Sequence, residues 1–254
     1  MLHRAVKMWF WVTYDHLGKL LLLNAALMLP CALLTGLALM LPPLPAILLL
    51  VLLYAAAVPG CLAALGHTAR TLIETHEADL QTITSGFRQY FLPGALVGLL
   101  LNAAIAASLA GAWYYLLVLA RPTPIYAYAL AALCLWCGAF AAAIQFHALP
   151  ALAQQRAGIR AALHTGLLLS ADNPLTTAAL LLNFLGLTAL ATLPPAYVCF
   201  SLAPMATLQA AAYEILARYY AAPIVDGRRA PDYRDTEDDY LNRGFRDFLF
   251  PWKM

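Results

Sequence analysis

Charge is what this chain has least of. Only 11% of its 254 residues are Asp, Glu, Lys or Arg, while 63% are hydrophobic. A soluble domain carries about a quarter charged residues. So little polar surface cannot coat a water-soluble globule, and a lipid bilayer is the expected solvent. The net charge is +2, which leaves no basic footprint for nucleic acid. Catalytic signatures are also missing: no GxSxG, no Walker loop, no paired intramembrane carboxylates and no His-rich set occurs. No catalytic, cofactor or metal residue is therefore assigned, and a non-enzymatic protein is expected.

Cysteine offers little more. Cys31, Cys61, Cys134, Cys137 and Cys199 all lie in apolar runs, unlike a secreted disulfide framework. Cys134 and Cys137 spell CxxC, but no second ligand pair accompanies them. On a lipid-embedded helix they read as two small apolar residues.

What the chain has is long hydrophobic runs. A spanning helix needs about 20 mainly apolar residues, and six stretches qualify: Leu17–Met40, Leu44–Leu65, Leu92–Ala120, Ile125–Ala151, Pro174–Leu193 and Ala196–Tyr220. LPPLP, RPTP and LPP separate the members of each pair, and proline makes these tight turns. The expected fold is an all-α integral membrane protein of six transmembrane helices in three hairpins over residues 1–222. A polar cytoplasmic tail, 223–254, follows and closes with the aromatic-basic FRDFLFPWKM. The tail is expected to be mobile, with its end returning to the membrane surface.

The N-terminal segment is too aromatic and amphipathic for a cleavable signal, so span one is expected to stay. Fourteen of the Lys and Arg residues fall in the N-terminal segment, the 2–3 and 4–5 connections, the end of span six (Arg218) and the tail, whereas the hairpin turns hold only Arg121. The positive-inside rule then places both termini in the cytoplasm. Trp9, Trp11 and Tyr14 are expected to float at the inner surface before span one.

Two connections read as amphipathic cytoplasmic surface helices. Leu72, His76, Leu80, Ile83, Phe87 and Phe91 recur every three or four residues in the first. His67, Glu74, His76 and Glu77 there read as a solvated face rather than a ligand set. The second, LAQQRAGIRAALHTGLLLSADNPL, ends in Asp172-Asn173-Pro174, a start signal for span five.

Amides interrupt the leucine runs. Asn24, Asn102 and Asn183 each follow a leucine triplet or longer run, 78 and 81 residues apart, each on the first helix of its hairpin. The spacing suggests a three-fold internal repeat. Two readings stand: amides that bond neighbouring helices and fix packing, or a polar ring lining a solute path. Glu214 and Arg218, at i and i+4, are expected to pair. Gln145, His147 and Gln209 add polarity towards the cytoplasmic half, where a cavity is conceivable. Pro59-Gly60, Pro150 and Pro204 are candidate kinks.

The segment YDHLGKLLLLN, with Tyr14, Leu17, Gly18, Lys19, Leu20 and Asn24, resembles the opening motif of the YesL-like bacterial membrane proteins. SGFRQYFLPG and FHALPALAQQRAGIRAALHTGLLLS resemble later segments of that family. Pro30, Thr35 and Gly36 follow at a spacing that departs from it. The resemblance implies a multi-pass protein of the bacterial plasma membrane, encoded beside carbohydrate importers, with no established activity and no catalytic residues to carry over. Lys19 would anchor span one at inner phosphates, and Gly18 would admit a neighbouring helix. The expected role is accessory to solute (carbohydrate) uptake, with membrane subunits of an importer as partners. The alternatives are a small-solute transporter or channel in its own right, and a lipid-modifying membrane enzyme drawing on His67, His76, His147 and His164.

Overall fold

A computed structural model describes residues 1–118, 125–155, 158–190, 193, 197, 201–225, 228–229 and 239–244. The RPTP turn, Arg156, Pro194-Pro195, Cys199 and the aromatic-basic end of the tail lie outside the described residues.

The described fold is all-helical apart from a two-residue β-bridge, in which β1 (Ile224–Val225) pairs antiparallel with β2 (Arg228–Arg229). Helix α1 (Leu2–Asp15) buries Ala5, Met8, Trp11 and Val12, a one-sided stripe at helical spacing. After a joint at His16 comes α2 (Leu17–Leu39), which is apolar all round. Prolines 42 and 43 turn the chain into α3 (Pro43–Val51), which runs through a π-helical segment (Leu52–Ala57) into α4 (Val58–Thr75). Next come α5 (Leu80–Trp113), extended by a second π segment to Val118, and α6 (Ile125–Gln154). The rest comprises α7 (Ile159–Asp172), α8 (Pro174–Leu190), α9 (Leu202–Ala221) and a short α10 (Asp239–Asn242).

Among the described residues four continuous stretches are long and apolar enough to cross a membrane: Leu17–Leu39, Pro43–Thr75, Leu80–Leu117 and Ile125–Gln154. The α7–α8 pair, bent by 108°, makes a fifth if taken as one span. The last expected span is not among them. Its helix begins only after Ser201 and carries Gln209, Glu214 and Arg218.

That last helix is the hub of the core. Every residue of α9 from Leu202 to Tyr213 is buried, as are Ile215 and Leu216. Helices α1, α2, α4 and α6 pack around it. Far from the hub, Leu33, Leu39, Met40, Leu44 and Trp136 are at least 70% exposed, the pattern of side chains solvated by acyl chains.

The tightest helix pair is α4 with α5. Gly94 and Gly98 form a GxxxG stripe, where an added Cβ would stand 2.4 Å from Ala63 Cβ and 2.2 Å from Pro59 Cβ. Small residues let two backbones approach this closely where hydrophobic exclusion between helices is absent.

Several expectations change. The first connection is not a separate surface helix. Its periodic residues are shared between the end of α4 and the start of α5, because His76 adopts a left-handed conformation (φ 57°) and stops α4. The Asp79 carboxylate then accepts the Thr82 N–H at 2.7 Å and caps α5. Trp9 and Trp11 do not float: Trp11 is buried, and Trp9 Nε1 donates to Pro204 O at 3.0 Å. The second connection does form a helix, α7, and it packs on α6 at Gly166, where a Cβ would lie 2.7 Å from Ile144 O. No described atom lies within 4 Å of a Cβ built on Gly18, so close helix approach does not explain that glycine.

The tail also departs from the expected mobile segment where it is described. Tyr240 is fully buried. Its hydroxyl pairs with His76 Nδ1 at 2.7 Å and His16 Nε2 at 3.2 Å. Arg243 pairs with Asp15 at 2.5 Å and lies over the rings of Trp11 and Tyr240, while Lys7 donates to Leu241 O.

Candidate functional site

The three asparagines meet three different needs. Asn24 lies fully buried on α2, beside the start of α9. The first turn of any helix has N–H groups without intrahelical acceptors. Asn24 Oδ1 accepts the Ala203 N–H at 2.9 Å, and its Nδ2 donates to Ser201 Oγ at 3.2 Å. An amide from one helix thus caps another.

Asn102 answers a proline. Pro59 has no N–H for the carbonyl four residues back, Ala55 O. The chain opens there into the π-helical turn, and Asn102 Nδ2 of α5 donates to Ala55 O at 3.1 Å. Asn183, by contrast, is exposed and donates to Ala179 O of its own helix at 2.8 Å. The three amides are not brought to one centre.

A different set of amides does converge. A cavity of about 320 Å³ opens between α4, α5, α6, α8 and α9, and Asn102, Gln145 and Gln209 line it among Phe146, Phe184 and Leu149. Its volume lies within the range of ligand pockets, about 300–1,000 Å³. Gln209 is 3% exposed, yet neither it nor Gln145 forms a hydrogen bond among the described residues. Burying an unpaired amide costs several kcal/mol, on the order of 2–7; Gln209 is buried and Gln145 half-buried, and both face the cavity, so a polar occupant suits them. Among the described residues no charged side chain lines the cavity. Next to it, His147 Nε2 pairs with Thr177 Oγ1 at 3.0 Å and ties α6 to α8.

The remaining sequence-singled residues lie elsewhere. Glu214 and Arg218 form an ion pair at 2.8 Å, each about three-quarters buried. Tyr14 stacks on Phe10 with ring centres 6.1 Å apart, and Leu17 is 41% exposed. Lys19 is exposed at the rim of a cleft beside α2. His67 and His76 belong to separate networks: His67 lies against Tyr90 and His76 against Tyr240. Among the described residues no group of three His, Cys, Asp or Glu is placed to hold a metal ion.

Sequence reasoning noted Gln145 and Gln209 as polarity but did not join them to Asn102. They lie on three helices, α5, α6 and α9, which only the packing of α6 against both α5 and α9 brings together. Comparison with known proteins returns no matching family, no matching curated protein and no matching solved structure.

Proposed function

We propose that this chain is a non-enzymatic, multi-pass protein of the bacterial plasma membrane that serves uptake of small neutral polyhydroxy solutes, carbohydrates among them. The observation that carries the reading is the cavity lined by Asn102, Gln145 and Gln209 and by no charged side chain among the described residues, in which buried Gln209 and half-buried Gln145 form no hydrogen bond among the described residues. Primary amides offer both donors and acceptors. They match hydroxyl groups and give no counter-charge for an ion. The resemblance of YDHLGKLLLLN to the YesL-like family agrees, through that family's association with carbohydrate importers. The chain in this proposal crosses the bilayer six times as three hairpins derived from a three-fold repeat, the sixth crossing being completed by α9. Both termini lie in the cytoplasm, in keeping with the distribution of Lys and Arg.

Two forms of the role differ in where the solute is held. A chain accessory to an importer need not bind it, and the docked tail around Tyr240 offers such a partner a rigid cytoplasmic face. The cavity favours the second form, in which this chain itself holds the solute. Uptake by liposomes containing the purified chain tests it. Flux of a labelled sugar or polyol, lost in the Gln145→Leu/Gln209→Leu double variant, is the expected result. Absence of flux with every neutral solute returns the accessory form to first place.

A further inference from the structure

A second site lies apart from the amide cavity. A cleft of about 410 Å³ runs between α2 and the α4–α5 turn. Leu20, Leu23 and Ala26 form one wall, and Leu72, Leu80 and Ile83 the other. Its lining carries only two charges, Lys19 and Asp79, which form no ion pair with each other among the described residues. Two Thr82 hydrogen bonds hold the Asp79 carboxyl below its ordinary value of 3.8, so it is ionised at neutral pH. Thr68 also lines the cleft; it is 3% exposed and its hydroxyl has no partner among the described residues.

The two walls are held at a set spacing. His16 immediately precedes α2 and His76 immediately follows α4, and the Tyr240 hydroxyl bonds both. The same hydroxyl lies 3.4 Å from Leu72 O, on the wall of the cleft itself. A fixed apolar slot therefore ends in one cation, one anion and a buried hydroxyl without an acceptor.

We propose that this cleft binds one zwitterionic phospholipid with a primary ammonium headgroup, of the phosphatidylethanolamine class. Its phosphate meets Lys19, its ammonium meets Asp79, its ester carbonyls supply the acceptor for Thr68 and an acyl chain lies along the leucine wall. The charge pair discriminates between headgroups. Phosphatidylglycerol has no ammonium, and its net negative charge meets the Asp79 carboxylate. Phosphatidylcholine has a quaternary ammonium that cannot donate a hydrogen bond to it.

Native mass spectrometry of the full chain in mild detergent, titrated with each of the three lipids, tests the proposal. The expected result is one tightly held lipid, with phosphatidylethanolamine ahead of phosphatidylcholine and phosphatidylglycerol last. Lys19→Gln should weaken phosphatidylethanolamine binding about fivefold, the worth of one interfacial lysine. Asp79→Asn keeps the cap on α5, because Asn caps as well as Asp, yet should erase the preference for phosphatidylethanolamine over phosphatidylglycerol. Ala26→Trp, at an exposed position in the slot, should abolish retention while thermal stability holds. Preference of the wild type for phosphatidylglycerol, an unchanged preference in Asp79→Asn, or full retention in a folded Ala26→Trp would each overturn it.

Discussion

Pro59 and Asn102 lie on different helices and solve one problem between them. The proline removes the N–H that Ala55 O would use, and the amide across the helix pair replaces it at 3.1 Å. Asn102→Ala should then cost about 1 kcal/mol in an otherwise unchanged protein and markedly less in a Pro59→Ala background, where the backbone donor returns. Asn24→Ala should cost about 1–2 kcal/mol through loss of the cap on α9. Asn183→Ala, exposed and bonded only to its own helix, should stay within about 0.5 kcal/mol. Reversible unfolding in mixed micelles measures all four variants. A uniform cost across the three asparagines would contradict the separate roles. The sequence made these amides conspicuous, since each follows a leucine run, but not their partners. Ala55 O and Ala203 N–H are backbone groups whose need arises only from a proline or a helix start elsewhere.

His16 makes a prediction of a different kind. Burial lowers its imidazole below the ordinary 6.5, Asp15 opposes the shift, and Lys19, His76 and Arg243 reinforce it. With Tyr240 also in contact, the docked tail favours neutral His16. A group whose value is lowered by docking takes up a proton more readily when released. Docking is therefore at full strength above pH 6.5 and weakens as pH falls through and below that value. Hydrogen exchange of residues 239–244 should accelerate at pH 5.5 relative to 7.5, beyond the intrinsic pH effect, and the excess should vanish in His16→Gln. An excess that persists in His16→Gln would assign the sensitivity to another group.

At the scale of elements, α4 and α5 owe their contact to missing side chains. A Cβ at position 98 would sit 2.2 Å from Pro59 Cβ, a rigid ring that cannot swing aside. Gly98→Ala should destabilise the chain by about 1–3 kcal/mol, the usual range for overpacking. Gly36→Ala, where no described atom lies within 4 Å of the added carbon, serves as its control. Equal stability of the two variants would refute the close α4–α5 contact. The length of the apolar runs made the long helices legible: Leu17–Leu39 and Ile125–Gln154 lie within a few residues of expectation. Periodicity misread the segment from Leu72 to Phe91, because the three-to-four spacing of its apolar residues runs on across the break at His76. The stop signal there is one left-handed histidine, a conformation uncommon for any residue but glycine, even though histidine adopts it more readily than most.

At the scale of the whole molecule, scarcity of charge forecasts the lipid environment, and the exposed leucines away from α9 agree with it. Composition could not forecast the hub. Helix α9 holds Gln209, Glu214 and Arg218, which make it look like the most peripheral of the apolar segments, yet it is the most enclosed. Polar side chains are admitted there because surrounding helices shield them from lipid. The amide cavity belongs to the packed bundle, as its walls come from five helices: α4, α5 and α6 pack on one another, and α4, α6 and α8 pack on α9. The most direct test of a solute-holding cavity is thiol accessibility at Ala142, which lines it. In a chain whose five native cysteines are replaced, Ala142→Cys should react with a small water-soluble thiol reagent and be protected by a bound neutral polyol. Reaction only with a lipid-soluble reagent, indifferent to every polyol, would show an acyl-filled crevice and contradict the account.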